Sequence, residues 1–235
     1  MLHKETVEKG TLDLIRKLMA DDQLKEFNLV GGTALALKLG HRKSIDIDLF
    51  STGSFNAPEL AQYITSSYNA DQLRTISNGI FGFIDDIKID LISHQYPLVS
   101  DLEIVEGIRM VSLLDIGAMK LNAIYNSGAR LKDFVDVYAL LEVLSLEQMA
   151  HACEQKYPDI NISMVRNALL YHYDIDFSVP IDYVGKKIKW PDIADRIKKA
   201  FHKPQLVFSK LPAKTRDLLE KKHRKGPGKG KGPRL

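Results

Sequence analysis

Two aspartates one residue apart, Asp46 and Asp48, interrupt the apolar run Ile45-Asp46-Ile47-Asp48-Leu49-Phe50, downstream of the pair Gly31-Gly32. In an extended strand successive side chains alternate between faces. Asp46 and Asp48 therefore share one face, and Ile45, Ile47 and Leu49 share the other. Two anions on one face repel, and each loses hydration unless a cation lies between them. A hard divalent cation that takes oxygen ligands, magnesium foremost, resolves that conflict. The glycine pair follows the apolar run 27–30 and precedes a helix-like stretch over 33–39. It reads as a strand-to-helix turn where a phosphate can approach backbone N–H groups. This one stretch specifies a strand, a tight turn, a helix and a second strand with an anionic face.

A third carboxylate is found in Lys88-Ile89-Asp90-Leu91-Ile92. If this strand neighbours the Asp46/Asp48 strand in one sheet, Asp90 completes a cluster of three. Alternation places Ile87, Ile89 and Leu91 on one face and Lys88, Asp90 and Ile92 on the other, as at a half-open site. Taken alone, an Asp-x-Asp on an edge strand is a surface feature, and a lone Asp after Lys is the exposed side of an amphipathic strand. The combination with Gly31-Gly32 is what favours metal ligation.

At 235 residues the chain is long enough to bury a sizeable core. Its 45% hydrophobic and 27% charged content belongs to a soluble globular protein. No stretch approaches the roughly 18 consecutive apolar residues of a membrane helix, and Met1-Leu2-His3-Lys4-Glu5 opens no signal peptide. The single cysteine, Cys153, excludes an intramolecular disulfide and suits a reducing compartment, so a cytoplasmic location is expected. The formal net charge of +3 is misleading, because residues 221–235 hold seven basic side chains and no acid. Without them 26 basic residues face 30 acids, a net charge of −4. That Gly- and Pro-rich tail reads as disordered, either a salt-dependent attraction for RNA phosphates or a solubilising terminus.

Periodicity predicts a helix within 6–27, a strand at 27–30, the helix 33–39 and the carboxylate strand 45–50. A helix from Pro58 to about residue 68 follows. Strands are expected at 72–76, 80–84 and 88–93, with Asn78-Gly79 and Asp85-Asp86 as hairpin turns, then a small ribbon over 102–105 and 108–110. From Ser112 the pattern becomes helical, over 113–125, 131–143, 146–156, 162–171 and 192–202. The fold class is α/β (α+β). A mixed-sheet core over 1–110 precedes a helical domain over 111–220 that completes a cleft, with the tail beyond.

These residues together resemble the DNA polymerase β-like nucleotidyltransferase superfamily. Its core joins a Gly-Gly or Gly-Ser turn, a spacer matched here by residues 33–45, an Asp-x-Asp strand and a later third acid. A narrower resemblance is to the AbiEii/AbiGii toxin family of nucleotidyltransferases. It rests on Arg42-x-Ser44-x-Asp46-x-Asp48-Leu49-Phe50, Lys88-Ile89-Asp90, Ala118-Met119-Lys120-Leu121 and Lys132-Asp133-Phe134-Val135-Asp136. The match covers about the first 145 residues. It implies a bacterial or archaeal enzyme that binds a nucleoside triphosphate and transfers a nucleotide. In several members the acceptor is the 3′ end of tRNA, and many members are encoded beside an antitoxin.

Nucleotidyl transfer develops negative charge on the attacking and leaving oxygens, which two metal ions about 3.5–4 Å apart can stabilise. Asp46 and Asp48 would hold magnesium, and Asp90, on the acceptor side, would also help activate the incoming hydroxyl. The resemblance further implies that Gly31, Gly32, Thr33, Arg42 and Ser44 bind the nucleotide, with Arg42 and Ser44 on triphosphate oxygens. Lys120 would contact its phosphates, although a lysine on an apolar helix stripe can also simply reach solvent. Asp133, rather than Asp136, is the expected functional acid, accepting from the nucleobase or orienting Lys120. Both also suit a helix start without further role. Arg130 would stand for an arginine that relatives carry after the lysine helix. Other readings are an enzyme that nucleotidylates a protein hydroxyl and a non-catalytic nucleotide- or partner-binding module.

Overall fold

The computed structural model describes residues 1–209. The basic tail over 221–235 lies outside the described residues. Strands β1 (Asn28–Leu29), β2 (Ile47–Ser51), β3 (Asp71–Ile76), β4 (Gly79–Ile84), β5 (Ile87–Ser93), β6 (Glu103–Val105) and β7 (Ile108–Met110) form a single mixed sheet. Their order is β3-β4-β5-β2-β1-β7-β6. The expected ribbon of β6 and β7 is an edge of that sheet, because β7 also pairs with β1 in parallel through Leu29 and Met110.

Local chemistry explains most of the boundaries. Asp85 and Asp86 both have positive φ, 49° and 62°, so β4 and β5 are joined by a two-residue turn that matches the twist of the strands. Glu106 and Gly107 do the same between β6 and β7, with φ of 52° and 79°. The β3–β4 hairpin differs from expectation by one residue. Ile76 pairs with Gly79, so Ser77 and Asn78 make the turn and Gly79 opens β4. At the start of β2 the sequence expectation also fails. Ile45 precedes the strand and is 59% exposed, so only Ile47 and Leu49 carry the apolar face.

Helix α1 (Lys9–Ala20) is flanked by 3-10 turns at Lys4–Thr6 and Asp22–Leu24, so the single helix expected over 6–27 is broken into three pieces. Next in the chain come α2 (Gly31–Leu39) and α3 (Ala57–Tyr68). Then follow α4 (Leu113–Asn126), α5 (Leu131–Leu140), α6 (Leu146–Lys156), α7 (Ile162–Ala168) and α8 (Trp190–His202). Ser112 caps α4 through the Asp115 N–H, and Ser145 with Gln148 forms a reciprocal capping box on α6.

The Ile47, Leu49, Ile89 and Leu91 face of the sheet is fully buried in one cluster with Ile15, Leu18, Leu35 and Ile64 of α1, α2 and α3. The same cluster continues into Ile116, Leu121, Phe134, Val137 and Met149 of α4, α5 and α6. Strands give way to helices between Met110 and Leu113, yet the apolar core is continuous across that point. The opposite sheet face, with Asp48, Phe50, Asp90 and Ile92, is half-buried. There Phe50 and His94 line a small hollow with Met119 of α4 and Lys156 of α6.

Candidate active site

Strands β2 and β5 are parallel neighbours, and Asp48 and Asp90 are direct register partners. Side chains at paired positions on adjoining strands point to the same face, so the two carboxylates stand side by side. The antiparallel pairing of β1 with β2 brings the start of α2 to the same place, and the Val30 N–H donates to the Asp48 carbonyl at 2.9 Å. Gly31 opens α2 with φ of 68°, and a side chain there would run into the Asp48 carboxylate. Glycine is required twice over, for its left-handed conformation and for the close approach. The first N–H groups of α2 have no intrahelical acceptor, and the helix starts beside Asp48.

The electrostatics mark the corner as short of positive charge. Burial pushes the Asp48 carboxyl up to about 6, and the neighbouring charges of Asp90 and Asp46 push it the same way against the pull of Lys120 and Lys88. Asp90 accepts from Lys88 Nζ at 2.7 Å through Oδ2, while its Oδ1 is buried with no hydrogen-bond partner. Asp46 is half-buried, and its carbonyl accepts from the Thr33 hydroxyl. An all-oxygen donor set, one orphaned oxygen and one carboxyl that resists ionisation fit a hard divalent cation. Among the described residues, no three acids, histidines or cysteines are grouped so as to hold a metal ion by themselves, and the carboxylates set side by side are the pair Asp48 and Asp90. Lys88 satisfies part of the charge on Asp90 instead.

Behind the carboxylates lies a buried ionic cluster. Lys120 on α4 places Nζ 2.7 Å from Asp133 Oδ1 and 2.7 Å from Asp136 Oδ2. These two aspartates are three residues apart on α5 and so share a face. Arg42 grips Asp136 with Nε at 2.7 Å from Oδ1 and Nη2 at 2.9 Å from Oδ2, while its Nη1 donates to the Lys43 carbonyl at 3.0 Å. His41 Nε2 adds a fourth contact to Asp136, at 2.8 Å. Burial alone would raise the Asp136 pKa, but Lys120 and Arg42, with hydrogen bonds from His41 and Arg42, hold it well below the usual carboxylate range. Burial would likewise lower Lys120, and the charges of Asp136 and Asp133 raise it instead.

The structure thus brings Gly31, Asp48 and Asp90 to one corner, with the Lys120 charge felt at Asp48. Arg42 is placed on Asp136 with all three guanidinium nitrogens engaged, rather than offered to a triphosphate. Ser44 Oγ lies 2.9 Å from the Thr33 hydroxyl, and any side chain on Gly32 would meet Arg42 and Ser44. Asp133 and Asp136 both orient Lys120, with Asp136 at the hub. Arg130 is 67% exposed at its side chain and lies 3.7 Å from Asp133.

Sequence reasoning missed His41 as a partner of Asp136 and the buried pair of Lys156 with Asp115, 2.9 Å apart. Asp115 also accepts from the Val99 and Ser100 N–H groups, which pins the segment after β5 onto α4. The Ser112-x-x-Asp115 spacing was a legible cap signal for Asp115. Nothing local marks Lys156. Trp190 packs edge-on against Phe134, His172 and Phe177.

The sequence model of one protein family, described as "Nucleotidyl transferase AbiEii toxin, Type IV TA system", matches residues 13–91 and 81–171. An uncharacterized protein of Aquifex aeolicus (strain VF5), aq_aa25, is 28% identical over 174 residues, 72% of this chain and 84% of that one. Among solved structures, a candidate nucleotidyltransferase from H. pylori superposes with a TM-score of 0.54 at 16% identity, covering 90% of this chain and 98% of that chain. JHP933 from Helicobacter pylori gives a TM-score of 0.53 at 16% identity, with 92% and 99% covered. At that identity the likeness is one of fold, and it extends over the sheet and the helices that follow it.

Proposed function

We propose, since this chain belongs to the AbiEii nucleotidyl transferase toxin family, that it transfers a nucleotide from a nucleoside triphosphate to the 3′ end of an RNA, tRNA foremost, in a magnesium-dependent reaction that arrests growth. The observation that carries the reading is the register of Asp48 with Asp90 at the N-terminus of α2. Asp46, Asp48 and Asp90 would hold magnesium. When bound, the metal supplies positive charge for the oxygens that gain negative charge during transfer.

The protein's own groups do the rest. The free N–H groups at Gly31 and Gly32 receive the triphosphate, helped by the positive end of α2. The acceptor hydroxyl oxygen forms its bond to the α-phosphorus as the bond from that phosphorus to the α–β bridging oxygen breaks. The electron pair leaves with pyrophosphate. The hydroxyl proton passes to the Asp90 carboxylate, which stands beside Asp48 on the neighbouring strand. Lys120, held by Asp133 and Asp136, keeps a fixed positive charge behind the site. The helices from residue 111 onward form the wall that closes the cleft. A cognate antitoxin is the further partner that this reading expects.

The test is incubation of the purified chain with each α-labelled nucleoside triphosphate, magnesium and total bacterial RNA, followed by separation of RNA from protein. Label on tRNA-sized RNA that disappears with Asp48→Asn supports the reading and identifies the base. Label on protein alone would move the acceptor to a protein hydroxyl. Nucleotide binding without any label would make this a binding module.

A further inference from the structure

A cavity of about 270 Å³ lies on the approach to Asp46, and none of the carboxylate candidates lines it. Its walls include Arg42, Lys43, Ser44 and Ile45, Lys132 from the first turn of α5, and the segment 180–182. That size is near the lower end of small-ligand pockets, about 300 Å³. The walls are held by the backbone. The Lys43 N–H donates to the Asp182 carbonyl at 2.7 Å, the Ser44 N–H to the Thr6 carbonyl at 2.9 Å, and Arg42 bridges to Tyr183. The 41–44 segment is therefore clamped from both sides.

Pairing decides what the cavity would take. Arg42 is committed to Asp136, which leaves Lys43 and Lys132 facing Glu8 and Asp182 around it. Arg42, Lys88, Lys120 and Lys156 all have a carboxylate within salt-bridge distance. Lys132, half-buried, has no such ion pair among the described residues. Lys43 meets Asp182 only at 3.3 Å, with both side chains at least half exposed, an arrangement that an incoming anion can displace. Ile45, Ile181 and Pro180 add apolar surface, suited to a sugar or base beside the charge. Arg42 stands between the cavity and the N-terminus of α2, since it lines the one and approaches Gly32 at the other. The incoming triphosphate, received at Gly31 and Gly32, is thereby separated from the cavity.

We infer that this cavity is an acceptor subsite, in which Lys132 and Lys43 hold a phosphodiester of the RNA strand whose 3′ end enters the carboxylate corner. The inference rests on the RNA-acceptor reading above. It also accounts for a cavity that opens one residue before Asp46, at the point where a strand leading into the corner would pass.

The experiment measures binding of a short fluorescent single-stranded RNA to the full chain, without nucleoside triphosphate, across a salt series. Wild type is compared with Lys132→Gln and Lys132→Glu, and the KM for the nucleoside triphosphate is measured in parallel. Because Lys132 has no acid partner, neutralising it strands no buried charge, and Lys132→Gln should melt like wild type. Expected are a several-fold loss of RNA affinity with Lys132→Gln, a larger loss with Lys132→Glu, and a log–log salt slope shallower by about 0.7, with the triphosphate KM unchanged. A raised triphosphate KM with RNA affinity intact would assign the cavity to the nucleotide and overturn the inference. So would variants that change neither quantity. A wild-type chain that transfers nucleotide but does not bind RNA would overturn both this inference and the RNA-acceptor reading. RNA binding indifferent to residue 132 would overturn the cavity assignment alone.

Discussion

Lys120 Nζ of α4 lies 2.7 Å from Asp136 Oδ2 of α5, and both side chains are almost wholly out of solvent. Asp136 serves two cations at once, because Arg42 grips it from the loop before β2. Asp136→Ala would leave Lys120 sharing only Asp133 and Arg42 with no carboxylate. Removing one partner of a buried ion pair typically costs about 3–5 kcal/mol. Asp136→Ala is expected to lose stability on that scale, read as the midpoint of urea unfolding. A loss below about 1 kcal/mol, the range of an exposed pair, would show that the cluster is solvated.

Asp48 bears the opposite sign. Its folded-state pKa is raised to about 6, so ionising the carboxyl costs more in the fold than in the unfolded chain. Asp48→Asn should abolish nucleotide transfer and, in the absence of metal, raise stability by about 1–2 kcal/mol after allowance for partial exposure. Magnesium should raise the melting temperature of wild type and leave Asp48→Asn unmoved. Equal magnesium shifts in the two proteins would place the ion elsewhere.

Gly31→Ala tests the turn. A left-handed backbone costs a non-glycine residue about 1–2 kcal/mol, and the added methyl also meets the Asp48 carboxylate. Loss of transfer with modest destabilisation is expected, measured by unfolding and by turnover of labelled nucleotide. Full activity in Gly31→Ala would show that α2 does not pack against Asp48 as described.

Acid sensitivity should come from the hollow beside the site. Burial, with a smaller contribution from the Lys156 charge, pulls His94 down to about 4, where it is packed against Phe50 and Tyr157. The unfolded chain then binds the proton more readily than the fold between the ordinary histidine value, about 6.5, and 4. The stability that His94 contributes is full above that window and is lost as pH falls through it, against an opposite contribution from Asp48, which takes up its proton more readily in the fold. Asp136, with its depressed pKa, adds a loss of the same sign at lower pH. His94→Phe should flatten the stability profile between pH 6.5 and 4. An unchanged slope there would assign the acid loss to other groups.

What the sequence by itself determined was local. Period-two alternation identified β2 and β5 and the face on which Asp48 and Asp90 lie. The glycine pair announced the turn into α2, and helical spacing found α4 to α6 to within a few residues. For Lys120 the resemblance left two roles open for Asp133, the nucleobase or the lysine, and the fold sets both Asp133 and Asp136 on the lysine. Only the tertiary structure decided that β2 and β5 are parallel neighbours in the register that sets Asp48 beside Asp90, since no local signal encodes a pairing between distant strands. It alone placed Arg42 on Asp136 and Lys156 on Asp115. A lysine or arginine reads as solvated until the fold buries it, and burial is what makes a particular carboxylate its obligatory partner. Ile45 shows the reverse. Alternation assigned it to the core, but the strand begins two residues later and leaves it at the mouth of the cavity that Lys132 lines.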